Sequence, residues 1–240
     1  AELKREKEVV FEEIRMNLDK PSRRLGWAVM RETFGEDHPY GRPILGSIES
    51  VRAISRQDIL DYRARWYNAS NMLVVAVGDF KAAELLPLIE KAFKDVPTKK
   101  VPKVTLPPVK TAKGPRLIIM REKVRQASLV FSWLTPGLPS PEVYPLDMAA
   151  QVLGDGETSR LYATLKEKQG LVDGVDVFAY TPHQMGVFEV KAQAAPEKVN
   201  QAWRPLLKEA LSIIKSPPTS TELKRARVQI AASFVRGRQA

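Results

Sequence analysis

The sequence predicts an α+β protein in two parts, each with helices packed on an antiparallel sheet, and three observations carry that prediction. Amphipathic helical stretches and short β-type runs come in groups rather than in strict strand–helix alternation. A proline- and lysine-rich segment, "PTKKVPKVTLPPVKTAKGP", divides the chain. Beyond it, two alternating runs joined by a short turn read as an antiparallel pair. The expected organisation is residues 1–96 as a first part, 97–115 as a linker and 116–240 as a second part.

Each element follows from local chemistry. Residues 2–18 predict a helix, with Glu near its start and no breaker before Pro21. "SRRLGWAVMRETF" continues helically, and the Gly- and Pro-rich "GEDHPYGRPILGS" must be a loop. "SIESVRAISRQDILDYRARWY" predicts a short and a longer helix, with Ser55 as N-cap of the second and Asp58 at its third position. "NMLVVAVGDF" predicts a buried strand ended by Gly78 and Asp79. "KAAELLPLIEKAFKDV" reads as a helix despite Pro87. Five prolines with lysines between them make 97–115 an extended connection. After it, "RLIIMRE" and "QASLVFSWLTPG" predict strands, and "PEVYPLDMAAQVLGDG" and "TSRLYATLKEKQG" predict helices. "LVDGVDVFAY" and "GVFEVKAQAA" form the antiparallel pair, and two further helices close the chain.

Composition narrows the function classes. Of the 240 residues 44% are apolar and 28% charged, which is globular rather than disordered composition. No apolar run approaches the roughly 18 residues that span a bilayer, and no export signal is visible at the start. Zero cysteines exclude disulfides, thiolate zinc sites and cysteine nucleophiles. The net charge of +10 is spread along the chain in short groups such as "TKKVPK" and "LKRAR", with no nucleic-acid-binding signature beside them. A solvated basic surface accounts for it, and no nucleic-acid partner is expected.

One stretch asks for more than a surface. "EKEVVFEEIRM" places Glu6 and Glu13 seven residues apart, so two helical turns return them to nearly one face. Spacing alone favours a solvated acidic edge over a place for something positive.

The order of segments then carries a resemblance. "REKEVVFEEIRMNLDKP", "HPYGRPILGSIESV", "WYNASNMLVVAVGDF" and "GDGETSRLYATLKEKQGL" follow one another here as they do in the pitrilysin/insulinase-type zinc peptidases. These are the inverzincins of H-x-x-E-H, and the bacterial processing-peptidase-like branch is the most similar. The resemblance runs through essentially the whole chain. It implies the fold class of LuxS- and peptidase-type metalloenzymes, two homologous helix-on-antiparallel-sheet domains, both truncated here. By that resemblance Glu13 is the third ligand of Zn²⁺ and Glu6 supports it from behind. It implies hydrolysis of peptides or unfolded polypeptides, with zinc activating the attacking water. It also leaves the compartment open between bacterial periplasm and cytoplasm.

Two departures shape the expectation. The only histidines, His38 and His183, lack the H-x-x-E-H surroundings, so the chain by itself holds neither the other two ligands nor the general base. Either a further segment of the parent carries them, or the parent belongs to a non-catalytic branch. Where the family binds the substrate backbone with Arg and, seven residues later, Tyr, this sequence has Lys166 and Asp173. Lysine lacks the guanidinium fork and aspartate the phenol donor. The resemblance therefore implies a metal-site subunit whose homologous partner supplies the Arg/Tyr pair. Arg160 and Tyr162 in "SRLY" are expected to be structural.

Overall fold

The structure, a computed structural model, describes residues 2–109 and 113–237. It falls into two compact units. One contains the chain up to Lys20 together with Asp37–Pro108, and the other contains Pro21–Glu36 with the described residues from Val109 onward. Residues 110–112 of the expected linker lie outside the described residues.

In the first unit, helix α1 spans Glu2–Leu18. Phe11 and Ile14 are buried on one side of it and meet Val51 of α3, Ile48–Ala53, with Val10, Leu45 and Ile48 packed around them. The Lys7 ammonium donates to the carbonyls of Arg52, at 2.8 Å, and Ile54. It thereby satisfies acceptors that the end of a helix leaves without intrahelical donors. Arg52 in turn lies 5.6 Å over the Phe11 ring. Apolar contact and a cationic cap thus hold α1 against α3. Helix α4, Arg56–Trp66, begins with the expected cap in its reciprocal form. Ser55 Oγ accepts from the Asp58 N–H at 3.1 Å, and Asp58 Oδ2 accepts from the Ser55 N–H at 2.7 Å. The Ser55 hydroxyl, which also donates to Asp58 Oδ2 at 2.6 Å, and then the Ser55 N–H hold the Asp58 carboxyl below its ordinary pKa. Helix α5, Ala82–Phe93, forms around Pro87 as expected.

The strand expected in "NMLVVAVGDF" does not form among the described residues. Residues 73–77 pair with nothing among the described residues, and Leu73 is 88% and Val77 94% exposed. An apolar run provides side chains to bury, but a strand also needs a neighbour to accept and donate along its backbone. The first unit offers no other strand among its described residues.

In the second unit, strands β1 (Ala127–Pro136), β2 (Gly174–Tyr180) and β3 (Met185–Ala194) make an antiparallel sheet in the order β1-β3-β2. Val190 stands opposite Phe131 on one side and Val177 on the other. Against this face pack α6 (Val143–Gly154), a π-helix (Tyr162–Lys168) and α7 (Val199–Ala210). Leu153, Leu161, Leu165, Val190, Ala202 and Leu206 form the centre of the core, each at most 1% exposed. A Cβ on Gly154 would lie 2.3 Å from Val177 Cγ2 and 2.9 Å from Val177 N, so glycine is what lets α6 sit directly on β2. Helices α8 (Ser212–Lys215) and α9 (Ser220–Gly237) complete the described chain.

Helix α2, Pro21–Phe34, packs on β1 and so groups with this unit, with Val29 and Phe34 buried. "RLIIMRE", expected as a strand, runs beside α2 instead. Arg116 pairs with Glu32 at 3.6 Å and Glu122 with Arg24 at 2.6 Å, while Leu117 stays 84% exposed. The π-helix replaces an expected α-helix. Its end is marked by the Gln169 N–H, 3.2 Å from the Thr164 carbonyl five residues back. Among the described residues no helix is long and apolar enough to cross a membrane.

Candidate functional site

Helix α1 positions the two carboxylates singled out by spacing. Its buried stripe of Phe11 and Ile14 fixes the rotation of the helix, and Glu6 and Glu13 fall together on one flank of that stripe, both exposed. Two turns separate them, about 10 Å of rise. Among the described residues Glu6 meets only Arg5, its chain neighbour, at 3.3 Å, with both side chains more than half in water. The Glu13 carboxylate has no hydrogen-bond or ion-pair partner among the described residues, although its backbone carbonyl accepts from Asn17 Nδ2 at 2.9 Å. Glu12 points away and pairs with Arg15.

Neither histidine joins them. His38 is 2% exposed, accepts from the Tyr40 N–H through Nδ1 at 3.1 Å, and meets the Tyr40 ring edge-on at 4.7 Å. Its work is to cap the short turn Pro39–Gly41. His183 is exposed in the turn between β2 and β3. Among the described residues no group of three His, Cys, Asp or Glu side chains is placed to hold a metal. Zinc takes at least three protein ligands, so the described residues do not by themselves fit a zinc site.

Lys166 and Asp173 are each engaged locally. The Lys166 ammonium sits 4.6 Å over the Tyr162 ring, and Asp173 Oδ2 accepts from Gln126 Nε2 at 3.1 Å. Tyr162 is therefore a platform for Lys166. Arg160 is a clamp. Its Nε and Nη2 donate to the two Glu222 oxygens at 2.6 and 2.9 Å, and Nη1 and Nη2 to the carbonyls of Ser216 and Pro217 at 2.8 and 3.3 Å. Glu222 Oε2 also accepts from the Thr219 N–H and hydroxyl. Hydrogen bonding by the Arg160 guanidinium, first, and by Thr219 holds the Glu222 carboxyl down to about 2.

Sequence reasoning missed this pair, since its partners lie 62 residues apart. Half of its signal was present in "TSTE", the T-x-x-E of a capping box before a helix. Beside it, a cavity of about 10 Å³ lined by Gln151, Ser159, Glu222 and Arg225 has room for one water and none for a substrate.

Comparison with known proteins agrees with the segment order. Residues 53–230 match the family model described as the peptidase M16 inactive domain. An uncharacterized zinc protease of Mycobacterium leprae is 28% identical over 240 residues, covering 97% of this chain and 52% of that protein. The chain spans about half the length of the curated relatives it matches. The fold is shared with a protease from Helicobacter pylori, with a TM-score of 0.84 at 22% identity over 100% of this chain and 59% of that one. It is shared also with a peptidase M16 inactive domain from Pseudomonas fluorescens, with a TM-score of 0.82 at 22% identity over 97% and 56%. A family model matched through most of the chain, and through the units that carry α4 to α9 and the whole sheet, leaves one assignment: this chain belongs to the M16 peptidase family.

Proposed function

We propose that this chain is part of a zinc-dependent endopeptidase that hydrolyses peptides or unfolded polypeptides inside a two-half chamber, and that it comes from the metal-site subunit of a heterodimer. The Glu6–Glu13 pair carries the reading. Both side chains are exposed, and Glu13 is held in register with Glu6 on a helix whose rotation the core fixes, with its carboxylate engaged by none of the described residues. Such an arrangement suits a ligand that waits for the rest of its site. Two further ligands and the general base would come from the parent polypeptide outside these residues, and the chain alone would be inactive. Lys166 and Asp173, being spent on Tyr162 and Gln126, leave the backbone-binding Arg/Tyr pair to a homologous partner subunit.

The test is a substitution series in the complete parent. Glu13→Gln is expected to remove most zinc and most peptide turnover, because a neutral amide is a poor zinc ligand. Glu6→Gln should cost about 10–100-fold, as changes behind a metal ligand commonly do. Glu12→Gln should cost little. Equal losses at Glu12 and Glu13 would refute the assignment. Turnover by the parent alone, equal to that of a mixture with its homologous partner, would refute the division between subunits. The second reading is a non-catalytic assembly subunit of the same fold, and the match to a model described as an inactive domain favours it. A parent without H-x-x-E-H would decide for that reading.

A further inference from the structure

Helix α6, the loop 155–159 and helix α9 meet around the small cavity beside the Arg160–Glu222 clamp. Part of its wall is apolar, from Val152, 5% exposed, and Ala226, 1% exposed. The polar part holds two buried atoms, Gln151 Oε1 and Ser159 Oγ, and neither makes a hydrogen bond among the described residues. A polar atom in that position has given up its hydration without replacement, which is why native interiors hold so few of them.

Ser159 poses the question most sharply. It is 3% exposed, so bulk water does not reach its hydroxyl. Its backbone is already satisfied: the N–H donates to the Gly156 carbonyl at 3.1 Å, and the carbonyl accepts from the Ala163 N–H at 3.0 Å. The hydroxyl makes no cap bond to the helix that follows. Among the described residues nothing takes its proton, and the cavity is the space beside it.

Size and chemistry select the occupant. About 10 Å³ is room for a single water. Glu222 lines the cavity, but its Oε1 already accepts from Arg160, and its Oε2 from Arg160 and from the N–H and hydroxyl of Thr219. Arg225 lines it as well, so a cation there would meet a guanidinium. A hydroxyl that must donate and an amide oxygen that must accept call for a ligand able to do both from one position. Water meets that requirement.

We propose that this cavity binds one structural water, which accepts from the Ser159 hydroxyl, donates to Gln151 Oε1, and so ties loop 155–159 to α6. Arg160 follows Ser159 directly, so the water fixes the point from which the clamp reaches Glu222. The inference is independent of the peptidase reading.

Thermal unfolding of this chain beside Ser159→Ala, Gln151→Met and the double variant tests it. Each single change should lower the midpoint of the second unit by about 2–4 °C, because it strands the remaining partner. The double variant should fall little further than either single one, since the shared ligand is lost only once. A dry cavity predicts the opposite sign for Ser159→Ala, because removing an orphaned hydroxyl relieves a cost. A midpoint that rises or stays level would therefore overturn the site. Losses that simply add would show that the two side chains share no ligand, and would overturn it too. A wild-type midpoint higher in sodium than in choline chloride, with no such difference in the variants, would make the occupant a cation and overturn the water. A crystal structure of the wild-type chain gives a reading that no variant can obscure. One ordered oxygen about 2.6–3.0 Å from both Ser159 Oγ and Gln151 Oε1 is expected. A dry cavity there, or a direct bond between the two side chains, would overturn the proposal.

Discussion

The Arg160–Glu222 clamp makes a prediction that can be worked from its geometry. Glu222 titrates at about 2 in the folded chain against an ordinary 4.5, so folding favours its ionised form. A depressed carboxylate contributes stability that is fully present above its unfolded pKa and is lost as pH falls through the folded one. The window therefore runs from about pH 5 down to about pH 2. A shift of that size corresponds to roughly 3 kcal/mol, and allowing for the part of Glu222 still in water leaves roughly 2–3 kcal/mol. Its side chain is 17% exposed and that of Arg160 14%, so solvent screens the pair only partly. The perturbation is Glu222→Gln, which keeps the shape and removes the charge. Urea unfolding followed by fluorescence suits it, because Trp27, Trp133 and Trp203 all lie in the unit that contains the clamp. At pH 7 the variant should be less stable by about 2 kcal/mol, and the gap should shrink steadily below pH 5 as the wild-type carboxylate takes up a proton. A gap of the same size at pH 7 and pH 3 would refute the electrostatic account. A gap below about 0.5 kcal/mol at pH 7 would show that the clamp contributes no more than an exposed ion pair.

Gly154→Ala should lower the thermal midpoint of the second unit, since its Cβ meets the backbone of Val177 and overpacking of this kind costs about 1–3 kcal/mol. Leu206→Ala, at a side chain wholly buried between α7 and the sheet, should cost about 2–5 kcal/mol in the same unfolding assay. Ser55→Ala removes the side-chain acceptor of the α4 cap and should destabilise the first unit by about 1 kcal/mol, readable as faster exchange of the first amides of α4. Calorimetric titration of this chain with zinc should show no stoichiometric tight site, and the purified chain should not cleave peptides; chelator-sensitive hydrolysis would contradict both.

The elements that could be read from sequence are those whose physics is local. Helix α1 ends where its apolar stripe and Pro21 predict, and Ser55 caps α4 through Asp58 because both partners lie within three residues. The β2–β3 pair forms around "TPHQMG" because the turn sets its register. Residues 72–77 and 116–122 were misread for a common reason. An apolar run announces what it would bury, whereas strand formation depends on neighbours that no local window contains. Arg116 and Glu122 instead follow α2 through ion pairs with residues far back in the chain. The carboxylate site was legible only as spacing. Seven residues put Glu6 and Glu13 on one flank, but the choice between surface and ligand came from the resemblance. The structure adds that Glu13 is unengaged.

The π-helix at Tyr162–Lys168 has a consequence for comparing this chain with its relatives. It stands between the anchored Arg160 and the first strand-leading residues, where the Leu171 N–H returns to the Leu165 carbonyl at 2.9 Å. A π-turn holds one more residue than the α-turn it replaces. The segment can therefore lose a residue by tightening, while the clamp before it and the strand after it stay where they are. Insertions and deletions of a single residue should accumulate here at low cost to folding. Lys166 lies inside this elastic stretch and Asp173 just after it, so equating them with residues of another protein depends on where the extra residue is placed. Superposed backbones, rather than counted spacings, are the sound way to carry a role across this turn.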